Sequence, residues 1–207
     1  MPGNTARDVV KLCCDLKDGG FHIETPAGQV VQILSTANRQ VTGFGKHWLL
    51  EWPYLFISEP FAGTGKLFIY RWAQVKCRKY QFRLLKILKR PEAYRWAAVG
   101  FAQCFAWRDP FLFVTDVTYP NYRGSLFAFT ITRKSELQPL YHHAPMYECV
   151  GHGIKVIDDE KDQTCLTVEL AGYHRRSGAA LQHAVRLMVK KHNQLEVILD
   201  EKDQHEE

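Results

Sequence analysis

Apolar positions recur along the chain at two spacings, every second residue in some stretches and every third or fourth in others, which are the periods of strands and of helices. Thr5 to Lys17 has the longer period: Thr5 stands as an N-cap, Val9, Val10 and Cys13 form a stripe, and Gly19-Gly20 ends the segment. The stretch "KYQFRLLKILKRP" from Lys79 also predicts a helix. Its inner side is Phe82, Leu85 and Leu88, or Leu84 and Leu88, and Pro91 stops it. Glu92 to Ala106 follows as a second aromatic helix with Tyr94, Ala97, Ala98, Phe101 and Phe105 on one face. A last helix starts near Ser177 with Leu181, Ala184, Val185 and Met188 inward.

Between these lie strand signals. "FHIETPAGQVVQIL" places the turn Pro26-Ala27-Gly28 between β-prone arms, and "FLFVTDVTYPNYRGSLFAFTITR" folds back at Pro120 to Gly124. "ECVGHGIKVI" and "TCLTVEL" flank the charged turn Asp158 to Gln163. Helices and hairpins mixed in this order predict an α+β fold, a mostly antiparallel sheet of hairpins with flanking amphipathic helices.

"GFGKHWLLEW" (Gly43 to Trp52) and "GTGKLFIYRW" (Gly63 to Trp72) share G-x-G-K and a Trp six residues beyond the Lys, which predicts two similar turns leading into regular elements. The second is no phosphate loop: a Walker A pattern needs a Gly where Pro60 stands and a Ser or Thr where Leu67 stands.

At 207 residues, with 46% apolar and 13% aromatic side chains, the chain can bury a sizeable core. No linker-like composition break divides it, so the expectation is one globular domain over 1–199 and an acidic, disordered tail over 200–207. The first residues lack a secretory layout, and no window approaches the ~18 consecutive apolar residues of a membrane helix. The six cysteines form no CxxC pair or disulfide framework. Reduced thiols in the cytoplasm or nucleus are the simplest expectation, with no secretion.

Charge carries the strongest signal. The tail from Asp200 holds five acids against Lys202, a net of −4, so the net +5 of the whole leaves +9 on the body, which suits a polyanionic partner. No acid lies between Glu59 and Glu92, where Lys66, Arg71, Lys76, Arg78, Lys79, Arg83, Lys86, Lys89 and Arg90 supply nine positive charges. On a helix, Lys79, Arg83, Lys86 and Arg90 would share a face able to follow a phosphate backbone. Arg175, Arg176 and Ser177 add a second basic locus, where a helix N-terminus would receive a phosphate. The ordinary alternative for such a run is a solvated face of long side chains.

Signals for catalysis are sparse. Ser, Cys and His stand in no nucleophile motif, so no enzyme activity and no cofactor are expected. His142, His143, Cys149 and His152 fall within one short span whose spacing fits no standard zinc pattern, and they mark the place where an enzymatic or zinc site would lie.

"GTGKLFIYRW", "WAAVGF", "SGAALQHAVRLMVKK" and the tryptophans of "HWLLEW" together resemble the tombusvirus-type RNA-silencing suppressors. The resemblance implies a small α+β viral protein that dimerises and clamps short RNA duplexes independently of sequence. Trp48 and Trp52 would stack on the duplex ends, and Lys66 and Arg71 would touch phosphates. Here the tryptophans are spaced W-x-x-x-W rather than the family's W-x-x-W, and the segment from about Asp109 to Asp162 has no counterpart. Charge and resemblance together lead to a non-enzymatic RNA-binding protein, favouring short duplexes, with a homodimer as the expected assembly. The rival expectation is a viral matrix-like or host-factor-binding interaction protein whose basic face meets a membrane surface or an acidic partner.

Overall fold

The computed structural model describes residues 11–15, 20–25, 27–35, 43–76, 79–90, 100–118, 124–131, 137–143, 148–159, 164–190 and 194–198. These residues contain no helix. The protein is all-β, with four antiparallel sheets, and this overturns the α+β expectation and its flanking helices. The chain divides into two compact units, Met1–Arg95 and Trp96–Glu207.

The first unit holds a three-stranded sheet of β1 (Lys11–Asp15), β2 (Gly20–Glu24) and β3 (Val30–Leu34). A four-stranded meander follows: β4 (Trp48–Glu51), β5 (Tyr54–Glu59), β6 (Lys66–Lys76) and β7 (Lys79–Lys89). Phe21, Ile23 and Leu34 from the small sheet form a core with Leu55, Ile57, Phe68, Tyr70 and Phe82 from the meander. The two sheets are also stitched by one side chain. Gln32 accepts from the Phe82 N–H at 2.8 Å through Oε1 and donates to the Phe82 carbonyl at 2.7 Å through Nε2, so its amide continues the ladder beyond the outer strand β7.

The second unit contains two meanders. One is β8 (Phe101–Arg108), β9 (Phe111–Asp116), β10 (Ser125–Thr130) and β11 (Leu137–His143). The other is β12 (Glu148–Asp158), β13 (Cys165–His174), β14 (Ala180–Lys190) and β15 (Gln194–Ile198). Their common core joins Phe111, Phe113, Leu126 and Ala128 to Val150, Leu166, Val168, Leu170, Val185 and Leu187. Thr115 fills the ladder gap at an irregularity of β8: its hydroxyl accepts from the Cys104 N–H at 3.1 Å and lies 2.8 Å from the Gly151 carbonyl.

Three expected hairpins are present, as β2–β3, β9–β10 and β12–β13. Both G-x-G-K segments are turns that lead into strands, with positive φ at Gly43, Gly45, Gly63 and Gly65 as such turns require. The shared tryptophans meet, with the rings of Trp52 and Trp72 5.8 Å apart.

Among the described residues, strands stand where helices were expected. In the first, residues 11–15 are β1, paired along its whole length with β2; the remainder of Thr5–Lys17 lies outside the described residues. The helix expected over 79–90 is β7, where a bulge at Leu85 breaks the alternation: Leu84 stands opposite Tyr70 while Lys86 stands opposite Ile69. That one-residue phase shift makes a strand imitate a helical spacing. In β14 the two periods overlap, because Leu181 and Val185 satisfy alternation as well as a helical stripe. Val185 and Leu187 are buried, whereas Ala184 and Met188 face outward. Of the segment 92–106, residues 92–99 lie outside the described residues and Phe101–Arg108 is β8. The acidic tail over 200–207 also lies outside them.

Candidate nucleic-acid interface

The nine-cation run folds into the β6–β7 hairpin, and the register sets its charges against one another. Lys66 pairs with Lys89, Arg71 with Arg83, and Lys76 with Lys79 as Cα partners. Directly opposed like charges destabilise an antiparallel pair, so three in one hairpin need a compensating anion or a strong structural reason. Lys66 has a compensator: its Nζ lies 3.3 Å from the carboxylate of Glu59, which is buried. Arg71 and Arg83 are exposed and, among the described residues, have no ion-pair partner.

Alternation assigns the cations to faces. Arg71 and Arg83 lie on the face opposite to Tyr70, Trp72 and Phe82, and the bulge at Leu85 returns half-buried Lys86 to that same face, opposite Ile69. The helical reading expected Arg83 and Lys86 together. The strand delivers the same pairing by a different device and adds Arg71 to it. Tyr54 completes the row as the partner of Arg71 on β5. Lys66 and Lys89 occupy the other face. Arg90 is buried at 4% exposure and leaves the surface set. The side chain of Lys79 lies outside the described residues, and its strand position is fixed only by pairing with Lys76.

The two tryptophans divide. Trp48 is 43% exposed and its ring makes a T-shaped contact with that of Phe21 at 5.3 Å. Trp52 packs on Trp72 and Phe82 in the core of the unit and is a packing residue. A more accessible ring is Tyr80, 53% exposed, which lies nearly parallel to Trp72 at 6.2 Å with an interplanar angle of 13°. Its signal in the sequence was an aromatic among cations, hidden by the expected helix. Lys89 was visible in the run but falls outside the 4-3-4 spacing.

Arg175, Arg176 and Ser177 form the exposed turn between β13 and β14. The expected helix N-terminus is absent; instead the turn closes by Gly178 N–H to the His174 carbonyl and His174 N–H to the Ala179 carbonyl, each at 2.8 Å. Ser177 Oγ accepts from the Ala179 N–H at 3.3 Å and lies 3.2 Å from His174 Nδ1, so it serves the turn itself. This locus belongs to the second unit.

Of the His/Cys group, Cys149 and His152 come together, with Cys149 Sγ 3.7 Å from His152 Nε2. His142 and His143 lie on β11, and their side chains are outside the described residues. Among the described residues no group of three His, Cys, Asp or Glu side chains is placed to hold a metal. None of the described helices is long and apolar enough to cross a membrane, since none exists among these residues. Comparison with known protein families, curated proteins and solved structures finds no match to this chain.

Proposed function

We propose that the protein is a non-enzymatic, sequence-independent binder of nucleic acid, with duplex RNA as the favoured ligand and the Arg71–Arg83–Lys86 face of the β6–β7 hairpin as its contact surface. The observation that carries this reading is the directly opposed, exposed pair Arg71 and Arg83, without an acid partner among the described residues. A phosphate placed between two guanidiniums turns their repulsion into two charge-assisted contacts. Such contacts read backbone and shape rather than base sequence, which suits RNA duplexes whose major groove side chains cannot enter. Trp48 and Tyr80 offer open rings for a terminal or unpaired base, while Trp52 does not. Arg175 and Arg176 give a second cationic locus, and a homodimer would double both.

A second reading, a module for an acidic protein partner, is favoured by the exposed Leu84, Leu85 and Ile87 on the outer strand beside these cations. Titration of duplex RNA, single-stranded RNA and duplex DNA at two salt concentrations tests the first reading. Binding to duplex RNA with a steep salt slope, weakened by Arg71→Glu, supports it. Absence of binding to all three at low salt removes it and leaves the protein-partner reading.

A further inference from the structure

The second unit contains a thiol site unrelated to the cationic hairpin. Cys149, at the start of β12, stands opposite Tyr173 of β13. Past Val150 the register breaks: Val150 pairs with Gly172 but Gly153 with Ala171, so Gly151 and His152 are bulged out. Gly151 takes φ +98, a conformation that costs a glycine little, and a Cβ there would come within 3.0 Å of Thr115. The bulge turns the His152 ring back over the strand it has just left. Its Nε2 comes 3.7 Å from Cys149 Sγ and its ring 5.4 Å from that of Tyr173. Cys104 fixes the backbone of the bulge, its Sγ lying 3.1 Å from the His152 carbonyl.

These three side chains have complementary chemistry. The imidazole can take the thiol proton. The Tyr173 phenol belongs to the cross-strand partner of Cys149. Hydrogen bonding toward Cys149 first, then the electrostatic effect of Cys149 and burial, raise the phenol above its ordinary 10.0, with Arg175 pulling the other way. A phenol that keeps its proton is a donor to sulfur. Cys149 is only 3% exposed, whereas His152 is exposed and Tyr173 is 42% exposed, so the sulfur lies behind two polar side chains that reach water.

We propose that Cys149 is a peroxide-reactive thiol, with His152 as its proton acceptor and Tyr173 as the hydrogen-bond donor to its sulfur. The Sγ proton passes to His152 Nε2, and the sulfur attacks one oxygen of hydrogen peroxide. An S–O bond forms and the O–O bond breaks. The leaving hydroxide takes the proton from His152 and departs as water. The sulfur is oxidised by two electrons to sulfenic acid, and the peroxide is reduced.

The test uses the full, reduced chain with hydrogen peroxide and dimedone, a trap for sulfenic acid, followed by peptide mass mapping over all six cysteines. Cys149 should be labelled about tenfold faster in the native chain than in concentrated urea, and His152→Gln should remove most of that advantage. Tyr173→Phe should slow labelling less. A Cys149 rate in the native chain no greater than in urea overturns the proposal, as does a folded H152Q protein that labels at the native rate. If H152Q does not fold, the native-against-urea comparison in the unaltered chain decides alone.

Discussion

Replacing Arg83 by Glu should make the protein more stable and a weaker binder at once. Arg83 and Arg71 are Cα partners in an antiparallel pair, exposed on one face, so their Cβ atoms stand roughly 5 Å apart. A like pair there costs, and an unlike pair gains, about 0.2–1 kcal/mol each. The swap from repulsion to attraction is therefore about 0.5–1 kcal/mol at low salt once screening by water is allowed for, and Arg83→Gln should give about half of it. In urea unfolding followed by tryptophan fluorescence, 1 kcal/mol moves the midpoint upward by about 0.3–1 M for slopes of 1–3 kcal/mol/M. The gain should fade toward ~1 M salt, where the Debye length is about 3 Å. The same substitution alters the face by two charges, so the slope of log affinity against log salt for a duplex should flatten by about 1.8. A loss of stability would show that the arginine stem is a packing element and that the pair is not repulsive. A gain in stability with RNA affinity unchanged would sever the hairpin from the proposed function.

Two further outcomes test the fold. Gln32→Leu leaves both backbone groups of Phe82 without their partner and should cost about 2 kcal/mol. Gln32→Glu sets a carboxylate oxygen against the Phe82 carbonyl, raising the folded pKa of that new acid above about 4.3, so the variant should be most stable below that pH and lose stability as pH rises through the folded value; equal stability at pH 4 and pH 7 would refute the bidentate contact. Burial first, and then Glu59, push Tyr70 from 10.0 up to about 12. The raised phenol contributes stability that is fully present below pH 10 and lost as pH approaches 12, about 1–2 kcal/mol after discounting for partial exposure, measurable by unfolding at stepped alkaline pH against Tyr70→Phe.

The sequence made the turns and three hairpins legible and left other strands, β7 and β14 among them, hidden. Gly43, Gly45, Gly63 and Gly65 punctuate the chain because only a residue without a Cβ accepts those φ values cheaply, and a pattern based on them survives folding unchanged. Strands β7 and β14 were misread because periodicity reports which residues are buried and not the geometry that buries them. One has a bulge that imitates a helical phase; the other has apolar positions compatible with both periods. The charge run was visible, but its meaning depended on register: only the pairing of Arg71 with Arg83, of Lys66 with Lys89 and of Lys66 with Glu59 separates opposed cations from neutralised ones. Cys149 and His152 are legible as a pair because they lie three residues apart; Tyr173 is not, since only the β12–β13 register brings it alongside.

The bulge at Leu85 has a consequence for how this hairpin can change over time. A strand without it has a single reading frame, in which every substitution stays on the face where it occurs. With it, the segment before Leu84 and the segment after Lys86 run in opposite frames, and the junction is the only point where they meet. Losing that one residue would leave Lys86 opposite Ile69 and Leu88 opposite Leu67 and make the frame continuous, whereas straightening the bulge with Leu85 retained would move Lys86 and Leu88 each to the other face. Relatives of this chain are therefore best recognised by where the frame changes along the hairpin, even where the residues on either side have all been replaced.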